Sequence, residues 1–253
     1  VALVWLEPGE TILGASGTPA PDRIVLQNAV VAEAGRFTLE HGNEVRFTPA
    51  KDGRCSLDDV PIQAGESVAL SDDQAGAASV LRVGNLQITH IHRQERAALR
   101  IRDRGAKTLQ DFVGVERHSF DPTRRVEATF EPAKDGTTVD VTLVTEFVEP
   151  HQVAGTLRFE LDGVEHALLA HPGGTGLFVV FADDTSGVTS YGGGRFLIVD
   201  KPDATGRTRI DFNRAFNPPC SFTAFATCPL PPPGNRLPIA IEAGEKHGMS
   251  HRP

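Results

Sequence analysis

The sequence has no excess of basic charge. Its 25 Lys and Arg stand against 33 Asp and Glu, a net charge of −8. A chain of that sign is repelled by a nucleic-acid backbone or an anionic membrane face, and neither is expected as a partner. It has no run of eighteen apolar residues, so no transmembrane helix is expected, and no secretory signal is visible. It has only three cysteines, an odd count that makes no secreted disulfide framework, and the expected setting is the reducing cytoplasm. Internal repeats and low-complexity segments are also missing. The first residue is Val1 rather than Met, already inside a strand-like run, and an upstream segment is expected to have been cut away.

What the sequence does have is turns. With 25 glycines and 18 prolines in 253 residues, and 40% hydrophobic content, it can bury one large core or two small ones between many short elements. In the first hundred residues, short apolar runs recur at Val1 to Leu6, Thr11 to Gly14 and Ile24 to Leu26. G-R-F-T-L-E and E-V-R-F-T-P follow, alternating apolar and polar as half-buried strands do, with a hairpin turn expected at His41-Gly42-Asn43. Further strands are expected at Cys55 to Leu57, Pro61-Ile62, Ser67 to Ala69, Ser79 to Val83, Leu86 to His92 and Ala98 to Arg102. The expected fold is all-β, beginning with an antiparallel sandwich over residues 1–104.

A short helix within Asp103 to Gly114 marks the junction to a second β-rich, barrel-like domain over residues 105–253. Its strands are expected at Phe120 to Phe130, Thr137 to Phe147, the hairpin Gly155 to Leu169 about Asp162-Gly163, Phe196 to Val199 and Arg209 to Phe212. Gly176 to Ala182 is continuously apolar and predicts a central strand buried on both faces. The proline-rich stretch from Asp200 to Lys246 predicts an ordered, mostly non-regular segment packed on the sheet.

Two resemblances follow from these motifs. I-L-G-A-S, D-R-I-V-L, G-R-F-T-L-E and L-D-D-V-P-I together resemble a forkhead-associated domain, which implies the sandwich fold. Such domains grip phosphothreonine through an Arg and a Ser-x-x-His. Here Ala15 follows Gly14, and Ala32-Glu33-Ala34-Gly35 takes the place of the second motif, so a charge-assisted phosphate grip is absent. In the other half, F-A-D-D-T-S-G, Y-G-G-G-R-F-L, D-F-N-R-A-F-N-P-P-C, C-P-L-P-P-P-G-N-R-L and A-G-E-K resemble the domain-of-unknown-function 1684 family of bacterial and archaeal proteins. V-W-L-E-P-G-E and R-I-R-D add to that resemblance, which extends from Trp5 to Lys246. It implies where a site lies and supplies no reaction.

The candidate site residues are Tyr191, Arg195, Asp211, Asn213, Arg214, Asn217, Cys220, Asn235, Arg236, Glu242, Glu245 and Lys246. They are polar groups of both signs set among apolar, proline-stiffened chain, and they would suit a small, anionic molecule. If the protein is an enzyme, hydrolysis with Asp211 or Glu242 as general base and Arg195 or Arg214 as anion clamp is the least committed chemistry. Asp211 and Asn213 alternate with Phe212 and are expected on one strand face, with Arg195 or Arg214 as the ion-pair partner of Asp211. Asp183-Asp184 is expected to build a turn. Cys220 and Cys228 read as buried small side chains, a disulfide, a nucleophile or half a zinc site, with no histidine between Asp200 and Lys246 to activate them. His90-Ile91-His92 could present two imidazoles to a metal, but further ligands are missing, so a solvent-facing pair is expected. No metal and no cofactor is expected, and Gly192-Gly193-Gly194 has no phosphate-loop context. The alternative is a non-catalytic interaction protein that docks partners on the sandwich. No oligomeric state is legible.

Overall fold

The computed structural model describes residues 2–26, 32–40, 43–51, 54–74, 76–93 and 95–247. It divides into two compact units, Val1–Phe112 and Val113–Pro253. Among the described residues the chain is nearly all β, and no helix is long and apolar enough to cross a membrane.

The first unit holds β1 (Ala2–Trp5), β2 (Gly9–Gly14), β3 (Arg23–Val25), β4 (Gly35–Leu39), β5 (Val45–Pro49), β6 (Cys55–Leu57), β7 (Val60–Ile62), β8 (Val68–Leu70), β9 (Leu81–Val83), β10 (Leu86–Arg93) and β11 (Arg96–Asp103), then one helical turn, α1 (Lys107–Gln110). A six-stranded sheet runs β1-β11-β10-β9-β6-β7 and a five-stranded sheet runs β3-β2-β4-β5-β8. Alternation puts Leu13, Phe37 and Phe47 of one sheet and Leu81, Ile88, Leu99 and Ile101 of the other into one core. The Phe37 and Phe47 rings lie 4.8 Å apart at its centre. Pairing is antiparallel except for β2 with β3, which is parallel. His41 and Gly42 of the expected hairpin turn lie outside the described residues, and Asn43 takes the left-handed conformation with φ 65°.

His90 corrects one expectation. It is not solvent-facing but 2% exposed, because β10 is buried on both faces from Ile88 to Ile91. Its Nδ1 lies 3.2 Å from the Leu70 carbonyl oxygen, while His92 contacts the Asn43 amide at 3.0 Å. No cluster of three or more metal-ligating side chains occurs among the described residues.

The second unit holds β12 (Arg125–Pro132), β13 (Thr138–Thr142), β14 (Val148–Gln152), β15 (Gly155–Leu161), β16 (Val164–Pro172), β17 (Gly176–Phe181), β18 (Arg195–Asp200) and β19 (Arg207–Asp211). Six of them form one sheet ordered β18-β17-β16-β15-β12-β19, and β13 and β14 form a separate ribbon. The sheet curls until its edges meet, where the Thr208 hydroxyl donates to the Asp200 carbonyl at 2.8 Å. Inward side chains such as Leu157, Leu168, Val179, Phe181, Leu197 and Ile210 fill the curl, and Phe212, Leu237, Ile241 and Ala243 of the C-terminal segment close it.

Strand β17 is buried on both faces because the proline-rich segment covers its outer side. Val179 and Phe181 face the curl, whereas Val180 packs with Phe196, Ala226 and Cys228 beneath the prolines. Strand β14 carries Pro150 and alternates only exposed with half-buried positions, so its sequence gives little strand signal.

Candidate functional site

The site is built on an ion pair. Arg195 opens β18, and its side chain is 1% exposed; its partner Asp183 is 0% exposed. Gly194, with φ 86°, brings the chain into β18 where an added Cβ would lie 2.7 Å from the Phe181 carbonyl oxygen. The guanidinium donates to Asp183 and to the carbonyls of Ile241, at 3.0 Å, and Ala243. It also sits 5.2 Å from the centre of the Phe181 ring. Burial lowers the Arg195 pKa and the Asp183 charge opposes that shift. Asp183 accepts from the Thr185 amide at 2.7 Å, and its own amide donates to Ser186 Oγ. The D-D-T-S-G turn thus forms as expected, with the ion pair as its second task.

Holding the carbonyls of Ile241 and Ala243 fixes the residue between them, Glu242. The chain beyond it is pinned as firmly. Gly244 has φ 77°, and a Cβ there would stand 2.6 Å from the Ala215 carbonyl oxygen. The His118 amide donates to the Gly244 carbonyl at 2.9 Å, and the Lys246 amide to the Glu116 carbonyl at 2.8 Å. Glu245 accepts from the Asn217 amide at 2.7 Å and from Arg117 at 3.0 Å. Residues 116–118 and 242–246 therefore run side by side.

Two adjoining hollows open over this seam, and both are lined by His118 and Glu242. One, of about 380 Å³, adds Ser119, Phe120, Asp121, Arg124 and Ala240. The other, of about 430 Å³, adds Glu116, Thr189, Lys246 and His247. The His118 imidazole is partly exposed, but its Nε2 is buried and makes no hydrogen bond. Burial first, then the charges of Arg195 and Lys246, hold the His118 pKa below the ordinary imidazole value. Neutral imidazole is therefore its resting form at pH 7. Glu242 is exposed and forms no ion pair among the described residues. Lys246 is held only loosely, 3.7 Å from Glu116. A larger hollow, of about 680 Å³ over β12, β15 and β16, also presents a buried histidine nitrogen without a hydrogen bond, Nε2 of His166, and two of its carboxylates are paired, Glu131 with Arg158 at 2.8 Å and Glu127 with Arg209 at 2.6 Å.

Of the twelve sequence candidates, Glu242 and Lys246 line these hollows. Arg195 is sealed beneath them, its donors taken up by protein acceptors. Asp211 does not pair with Arg195 or Arg214 and does not share a strand face with Asn213. Instead it caps a 3-10 turn, Phe212–Arg214, and accepts from the Asn213 amide at 3.1 Å. Asn213 exchanges hydrogen bonds with the backbone of Asp121 at 2.8 and 2.9 Å, and Asn217 donates to the Lys246 carbonyl at 2.7 Å. Asn235, fully buried, bonds Leu169 on both its amide and carbonyl, and Val180 on its carbonyl. Arg214 is exposed, 3.9 Å from Asp200, and Arg236 is exposed. Tyr191 and Cys220 sit together, the tyrosine hydroxyl 3.3 Å from the cysteine carbonyl oxygen. His118 and Thr189 were not expected. Val-Glu-Arg-His-Ser-Phe has no motif, and only the backbone bridge between Arg117 and Glu245 brings His118 to Glu242.

Comparison with known proteins agrees with the resemblance of the second half. An uncharacterized protein of Haloarcula marismortui, solved in solution by NMR, is 36% identical over 56% of this chain and 81% of its own, with a TM-score of 0.46. No curated protein matches. The pattern of the family described as "Protein of unknown function (DUF1684)" matches residues 110–246, more than half of the chain, and the chain therefore belongs to that family.

Proposed function

We propose that the second unit binds a small polar molecule in the double hollow about His118 and Glu242. The observation that carries this reading is the meeting at one backbone seam of three groups uncommitted or only loosely held among the described residues: the buried Nε2 of His118, the carboxylate of Glu242 and the ammonium of Lys246. A buried polar atom without a partner costs free energy in the empty protein, and a ligand that satisfies it recovers that cost. Glu242 accepts, so the ligand offers an amine or hydroxyl there. Lys246 offers a cation for an acidic group, which accommodates the anionic ligand class expected from the sequence. The volumes suit a metabolite-sized molecule. If the bound molecule is processed, His118, kept neutral, is the group suited to take a proton from it.

The reading places the protein in the cytoplasm, on its odd count of cysteines. Its test is a calorimetric screen of amino acids, hydroxy acids and small amines against the full chain and against Glu242→Gln and His118→Asn, with folding checked by circular dichroism. Expected is a ligand whose affinity falls at least about tenfold, 1.4 kcal/mol, in each folded variant. Ligands that bind both variants as tightly as the parent, or none that bind at all, would overturn it.

A further inference from the structure

Beneath the proline loops of the second unit lies a group of side chains that the hollow does not use. Cys220 sits in a 3-10 turn, Pro219–Ser221, whose first residues are fixed by two consecutive prolines. Its amide lies 3.3 Å from the Cys228 sulfur. The Cys220 thiol itself also hydrogen-bonds the Cys228 thiol, so the two side chains are neighbours, as a disulfide between them requires. Both are reduced thiols. Cys228 is buried, 6% exposed, while Cys220 is half-exposed. Against Cys220 stands Tyr191, the only tyrosine in the chain.

We propose that Cys220 and Cys228 form a thiol redox site, in which Cys220 is the attacking sulfur, Cys228 resolves it and the oxidant is a small hydroperoxide. Cys220 is the more exposed of the two residues and Cys228 is buried, which suits a peroxide-sensing cysteine and its resolving partner. The Cys220 thiolate attacks the outer peroxide oxygen. An S–O bond forms, the O–O bond breaks, and the departing alkoxide takes a proton from water. The Cys228 sulfur then attacks the sulfenic sulfur. The S–S bond forms, the S–O bond breaks, and hydroxide leaves as water with the Cys228 proton. In sum, two thiols and one hydroperoxide give a disulfide, an alcohol and water, with two electrons passing from the sulfurs to the peroxide.

The surroundings favour the order of attack. The Cys228 thiol beside it lowers the Cys220 pKa to about 7; burial opposes this and Tyr191 adds to it. Burial, then the contact with Cys220, raises the Tyr191 pKa, so the phenol keeps its proton. Cys55, in the other unit, has its pKa pushed up to about 11 by burial and serves as an inert internal control.

The test is intact-mass and peptide-mapping analysis of the full chain after hydrogen peroxide at pH 7. The wild type is expected to lose two hydrogens and yield a Cys220–Cys228 linked peptide, leaving Cys55 alkylatable. Cys228→Ser is expected to stop at a sulfenic acid on Cys220 that dimedone traps. Cys220→Ser, folded by circular dichroism, is expected to lose at least about tenfold in oxidation rate, one pH unit's worth of thiolate. Tyr191→Phe is expected to move the pH midpoint of Cys220 alkylation upward, which a purely structural role would not do. A wild type that keeps all three thiols at peroxide doses that oxidise free cysteine would overturn the proposal. So would a Cys220→Ser variant oxidised as fast as the wild type.

Discussion

Arg195 and Asp183 face each other out of reach of solvent, and the same guanidinium holds the backbone on both sides of Glu242. The residue expected to touch a ligand instead supports the residue that we place there. Removing one member strands a buried charge and releases the seam, so Arg195→Met or Asp183→Asn is expected to cost about 3–5 kcal/mol. A fall in the urea midpoint checks this. Arg195→Met with an unchanged midpoint would contradict the supporting role.

Gly244 carries a second support. Its φ of 77° and the Ala215 carbonyl 2.6 Å from any added Cβ leave no room for a side chain. Gly244→Ala is expected to destabilise by about 1–3 kcal/mol, read in a thermal melt, and to disturb Lys246 amide resonances. Gly136, also at φ 77° but with nothing near its missing Cβ, is the control and is expected to lose less.

Asn235 is a structural residue. Its amide satisfies Leu169 twice and Val180 once from a position that solvent does not reach. Asn235→Leu would orphan those backbone groups and is expected to cost at least about 2 kcal/mol, measured by denaturant unfolding. Loss of ligand binding with stability intact would assign Asn235 to the site instead.

His90 gives the first unit a pH dependence of definite sign. Burial lowers its pKa, against the Leu70 carbonyl and the charge of Asp72, which raise it. The folded chain therefore takes up this proton at lower pH than the unfolded chain. The stabilising contribution is complete above about pH 6.5 and is lost as pH falls through the folded value. His118 adds the same sign in the second unit. Stability measured against pH is expected to fall on the acid side, with a shallower slope in His90→Gln. An equal slope in that variant would contradict the assignment.

Much of the fold was legible because its signals are local. Phe37 and Phe47 alternate with polar neighbours and so announce a half-buried sheet, and the unbroken apolar run through Val179 and Val180 announces a strand covered twice. Strand β14, with Pro150 and little burial, gave no such signal. The site was legible only in part, because sequence shows which polar residues are rich in chemistry and not which of them the fold consumes. Arg195, Asn213, Asn217 and Asn235 all lie in the distinctive motifs, and their donors are spent inside the fold, although the buried Oδ1 of Asn217 makes no hydrogen bond. His118 lies in no motif and becomes interesting only where residues 116–118 cross the C-terminal segment.

The most direct measurement of the central claim is an amide NMR map of the full chain with the ligand found by the screen. The largest shifts are expected together on Ser119, Thr189, Glu242 and Lys246, with the His118 imidazole resonances moving at the same ligand concentration. Shifts confined to the charged face of β12, β15 and β16, or to the first unit, would contradict it.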